Sequence, residues 1–147
     1  MNFYEFLRNE SPDFKGRFLS DIWNFNDNQI ENKHDFIQMI FPLNKPSEAV
    51  FHGLYLDNEI EINKMKKDKL ISKNLIFSKD WFVKFLERND GWMSYSDHNQ
   101  LRITRIIECL RLLVSNYEAD LFYSHILKLL GTENNVNKST LHFWSKA

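Results

Sequence analysis

A chain of 147 residues with 19 Lys and Arg against 20 Asp and Glu carries a formal net charge of −1. That balance argues against a nucleic-acid binder, which usually carries a basic excess. One cysteine, Cys109, excludes an intramolecular disulfide and fits a reducing, cytoplasmic compartment.

The start, Met1 to Glu10, mixes apolar and charged residues and lacks the basic and apolar regions of a signal peptide. Phe3, Phe6 and Leu7 stand at helical spacing, so a short helix is expected over Asn2–Arg8, ended by Ser11 and Pro12. Leu19, Ile22 and Trp23 give a second short helix. Asn28 and Glu31 read as a capping box opening a helix to Phe41, where Pro42 stops it. In that helix Ile30, Phe36, Ile37, Ile40 and Phe41 share one face.

Leu43 to Leu56, with Pro46 and Gly53, reads as a loop. Asp57 is placed to cap a charged helix to about Lys67, and a longer helix follows to about Arg88, closed by Asn89, Asp90 and Gly91. From Asp97 to Ser115 the apolar residues Leu101, Ile103, Ile106, Ile107, Leu110, Leu112, Leu113 and Val114 almost encircle the helix, which marks it as central and buried. Cys109 lies in this run and reads as a core packer. A helix over Glu118–Leu130 ends at Gly131; Thr132–Lys138 reads as a loop, and Leu141 and Trp144 as a last helical turn.

The expected fold is therefore all-α: a single compact domain over residues 1–147, with about six to eight helices around a central buried one. Four Gly and three Pro leave little room for hairpins. No apolar run approaches the roughly 18 residues of a membrane span, so none is expected and the domain reads as soluble.

Two motifs then stand out. Asn2-Phe3-Tyr4, with His34-Asp35-Phe36-Ile37-Gln38 running into Ile40-Phe41-Pro42-Leu43, resembles the opening motifs of the opioid growth factor receptor domain. His98-Asn99-Gln100-Leu101-Arg102-Ile103-Thr104-Arg105-Ile106 is similar to that family's second motif. Order and spacing match over roughly residues 2–145. Met39 departs from the pattern, standing where the family usually has Trp. The stretch Asn44–His52 is also weaker than the family's usual loop. The resemblance implies the domain-only, microbial type of member. The animal member is described as a receptor for an enkephalin peptide, so what the family implies here is recognition of a peptide or protein partner, without cofactor.

Two polar groups are candidates for a site. His34 and Gln38, four residues apart with Glu31 beside them, would share one helix face at the edge of the core. They read either as a binding site or as a hydrogen-bonded network tying helices together. His98, Arg102 and Arg105 form one stripe of the central helix, flanked by apolar residues, so the arginines should be partly sunk. A sunken guanidinium needs an anion. Glu31 and Asp35 could supply it internally, or a phosphate or carboxylate ligand could supply it from outside.

The five histidines are scattered and no zinc-ligand spacing appears, so no metal is expected. Lys64, Lys66, Lys67 and Lys69 read as a solvated helix face, with no interleaved aromatics to stack bases. No phosphate loop or nucleophile motif points to catalysis. The leading expectation is a non-catalytic module taking a peptide or protein in a groove between helices. The rival is a site for an anionic small molecule or nucleic acid, possibly catalytic, on the Arg/His cluster.

Overall fold

A computed structural model describes residues 1–47 and 53–147. Among the described residues there are nine α-helices and one 3-10 turn, and no strand, so the fold is all-α. The part of the expected Leu43–Leu56 loop at residues 48–52, His52 included, lies outside the described residues. The chain divides into two compact units, Met1–Trp81 and Phe82–Ala147.

The first unit opens with α1 (Phe3–Leu7), capped by the Asn2 side chain on the Glu5 N–H, and α2 (Leu19–Trp23). Between them a tight turn is built on Asp13. Its buried carboxylate accepts from the Lys15 and Arg17 N–H groups and from the Arg17 side chain. Gly16 occupies the left-handed region of this turn, at φ 78°.

The expected Asn28–Phe41 helix is two helices: α3 (Asp27–Asn32) and α4 (Ile37–Ile40). Its capping box lies two residues earlier than expected, on Asn26 and Gln29. The break falls at Lys33, which is extended at φ −83°, ψ 132°. Tertiary contacts account for it. Arg17 holds Asp35 at two points, through Nη1 on the carboxylate (2.8 Å) and Nη2 on the backbone carbonyl (3.1 Å). Beside it, buried Phe36 packs edge-on against Phe25 and Trp81. A continuous helix would have to give up that geometry, and packing overrides local propensity.

α5 (Glu59–Lys67) is capped by Asn58, one residue after the expected Asp57, with the Asn58 side chain accepting from Ile60 and Glu61 N–H. α6 (Lys69–Arg88) begins after Asp68, and the division into units falls within it. In the first unit α6 is tied by hydrogen bonds from Asn74 to the Leu7 carbonyl and from the Trp23 indole to Ser78, each 2.9 Å.

The second unit holds the end of α6, a 3-10 turn (Gly91–Met93), α7 (His98–Leu113), α8 (Asn116–Leu130) and α9 (Lys138–Lys146). Asp97 caps α7, Ser115 caps α8 and Asn137 caps α9, each side chain accepting from a backbone N–H in the first turn. Gly131, at φ 79°, closes α8. α7 packs against α8, α9 and the 3-10 turn, so it is central to this unit. It buries Ile103, Ile106, Ile107, Cys109, Leu110 and Leu113. Leu101 departs from the encircled pattern: it is exposed. Where one last turn was expected, α9 is a nine-residue helix. It is anchored by the buried Trp144, whose indole N–H donates to the Gln100 carbonyl at 3.1 Å.

Candidate functional site

The break at Lys33 separates the first candidate group. Glu31 is half-buried on α3, His34 is exposed on the connection that follows, and Asp35 and Gln38 lie beyond the break. His34 and Gln38 therefore do not share a helix face, which corrects the sequence expectation. Gln38 is half-buried on α4. Its Oε1 has no hydrogen-bond partner among the described residues.

Asp35 is engaged inside its own unit by Arg17 and Lys15, partners the sequence reading did not consider. Burial opposes ionisation of Asp35, but Lys15 and Arg17 outweigh it and hold the carboxyl below its ordinary pKa. Desolvation likewise works against the Arg17 cation, and the carboxylates of Asp13 and Asp35 raise its pKa in spite of that.

In the second unit His98, Arg102 and Arg105 lie on α7 as expected. Arg102 is only 6% exposed. Its Nη1 donates to the buried Asn99 amide oxygen at 3.1 Å, so a neutral neighbour one turn back supports the guanidinium. Arg105 is half-buried, and desolvation lowers its pKa against the opposing pull of Cys109 and Glu108. Cys109 is fully buried and burial pushes its thiol up to about 12, which removes it as a nucleophile. His98 stays near the surface. Its Nδ1 stands 3.9 Å from Asp97 Oδ1, too far for a hydrogen bond between them.

His98 lines a cleft in this unit. The cleft measures about 230 Å³ and lies between the start of α7 and α9. Leu101 and Phe143 are its apolar sides, exposed by 75% and 59%. Thr104 and Thr140 supply hydroxyls, and Gln100 forms a fixed floor. The Gln100 amide donates to the Trp92 carbonyl at 3.0 Å and the Ser94 carbonyl at 2.9 Å. Its Oε1 accepts from Thr140 at 3.3 Å, and its own carbonyl accepts from Trp144 and Thr104. One side chain thus fixes the 3-10 turn and α9 against α7.

Sequence reasoning missed Thr140 and Phe143 because the α9 pattern is short, and it assigned Leu101 to the buried set on periodicity. No family model matches the chain, and comparison with curated proteins and with solved structures returns no match.

Proposed function

We propose that the chain is a non-catalytic binding module that takes a peptide, or a segment of a partner protein, into the cleft between α7 and α9. The observation that carries this reading is the pair Leu101 and Phe143, two large apolar side chains left exposed on opposite elements of one cleft. Exposed apolar area around a concavity is the ordinary form of a docking site. The fitting occupant is an extended segment with an apolar side chain between the two. The Thr104 and Thr140 hydroxyls already donate within the protein. Each still has an acceptor lone pair for a backbone N–H of the segment. Gln100 makes the cleft rigid, so little ordering cost opposes binding.

The resemblance to the opioid growth factor receptor domain supports the same class of partner, and its second motif supplies His98, Gln100, Leu101 and Thr104. An anion held by His98, Arg102 and Arg105 has less support, because Arg102 is buried and bonded to Asn99. The Asp97 carboxylate is engaged in capping α7 and stands 3.9 Å from the His98 imidazole.

Selection from a random peptide library on the intact protein tests the proposal, with affinities of the enriched peptides measured by titration. Leu101→Asp and Phe143→Asp should each weaken the selected peptides at least tenfold while leaving the helical spectrum unchanged, since both positions face solvent. Enrichment of no peptide, or peptides that bind both variants as well as the wild type, would sink the reading.

A further inference from the structure

α5 and α6 meet at Asp68, whose backbone is extended at φ −88°, ψ 111° rather than helical. The break brings the last turn of α5, with Lys66 and Lys67, to the first turns of α6, with Lys69 and Lys73. Together with Ser72 and Ile76 they wall an open bowl of about 400 Å³ in the first unit. All four lysines are exposed. None of them forms an ion pair among the described residues.

Asp68 is the one carboxylate in the wall, and it is already committed. Its Oδ2 accepts from the Tyr4 hydroxyl and from Arg8 Nη1, both at 2.6 Å, and its Oδ1 accepts from the Leu70 and Ile71 N–H groups. Arg8, which also pairs with Glu10, holds that carboxylate away from the lysines. Four unmatched ammonium groups remain at one spot on a chain whose net charge is −1.

Lys66 and Lys67 suit the last turn of α5, but Lys69 and Lys73 are placed against local preference. Lys69 is the first residue of α6, and that helix has no acid in its first turn, although the dipole there favours negative charge. Lys69 and Lys73 are a like-charged i, i+4 pair. Two lysines set against local preference, beside two more that also lack an ion-pair partner among the described residues, mark a place shaped for something else.

We propose that this bowl binds a small ligand carrying two or more adjacent phosphate groups. Lysine ammoniums are compact, rotatable point charges that suit phosphate oxygens. Four of them drawn from two helix ends match the charge and spread of a di- or triphosphate better than a single phosphate. A nucleic-acid strand is disfavoured, because no aromatic side chain lines the bowl to stack a base. A membrane surface is disfavoured, because Ile76 is the one apolar residue in the wall.

Calorimetric titration of the intact protein with inorganic tripolyphosphate at neutral pH and low salt tests this. The expected result is saturable binding, at least tenfold weaker for orthophosphate, and weakened by added salt. Lys69→Gln with Lys73→Gln should reduce affinity at least tenfold, and so should Lys66→Gln with Lys67→Gln. Lys84→Gln, an exposed lysine further along α6, should leave affinity unchanged. No binding at millimolar tripolyphosphate, equal binding of orthophosphate, or binding indifferent to both double variants would overturn the proposal. Tighter, lysine-dependent binding of a single-stranded oligonucleotide would overturn the ligand class in favour of a nucleic-acid backbone.

Discussion

Replacing Gln100 with Leu tests the floor of the α7–α9 cleft. The side chain is 3% exposed and makes two hydrogen bonds of ordinary length, to the Trp92 and Ser94 carbonyls, and a longer one with Thr140. Each ordinary bond contributes about 1 kcal/mol net, and the buried Trp92 carbonyl, left unpaired, adds a desolvation penalty of similar size. Leu restores some apolar burial. The sum is a loss of about 2–3 kcal/mol, a sizeable part of a domain's stability. Trp92 and Trp144, two of the four tryptophans, are both buried, and Trp144 donates to the Gln100 carbonyl, so urea unfolding followed by tryptophan fluorescence includes a signal from this region. Gln100→Glu should be at least as damaging, since its carboxylate would face two carbonyl oxygens without a proton to donate. Leu101→Ala, next in sequence but exposed, should change stability by less than about 0.5 kcal/mol. A Gln100→Leu protein within about 0.5 kcal/mol of wild type would refute the reasoning that one amide holds these elements together.

Arg17→Ala should destabilise the fold by about 3 kcal/mol, because the Asp13 carboxylate, fully buried, loses its cation; calorimetric unfolding at low and high salt should give nearly the same loss. The Asp68 carboxyl, pushed up by burial but pulled down further by Tyr4, the Ile71 N–H and Arg8, titrates at about 2 instead of its ordinary 3.8. The unfolded chain therefore takes up this proton first, so the stabilisation is complete above about pH 4 and is lost as pH falls toward 2; in an acid series of urea melts, Asp68→Asn should flatten that limb. Cys109, with its thiol near 12, should react with iodoacetamide at pH 8 at least about a thousandfold more slowly in the native protein than in guanidinium.

Periodicity carried most of the helical architecture. The helices at 69–88, 98–113 and 116–130 lie within a residue or two of their expected spans, because each has a strong apolar face and a clean cap. The failure at Lys33 is instructive. His34 and Gln38 looked like helix neighbours because nothing local forbids a helix there, and the break is set by Arg17, eighteen residues before Asp35. A pairing at that separation has no signature in a single sequence.

Burial of the α7 arginines was legible from their apolar flanks, whereas the Asn99 support for Arg102 was not. The cleft was illegible for a related reason. Leu101 fits an apolar repeat and only its 75% exposure distinguishes it, and Phe143 lies too near the end of a short helix to declare a face. The lysines of α5 and α6 read as one solvated face until the extended backbone at Asp68 gathers four of them around a bowl.

The most direct measurement of the proposed function is a two-dimensional amide NMR titration of the wild-type protein with a peptide selected on it. Binding in the α7–α9 cleft should move the resonances of residues 96–104 and 140–143 most, with the amides around Asp68 unmoved. Largest shifts on the outer face of α8 or at the α5–α6 joint, with the cleft residues unmoved, would contradict it.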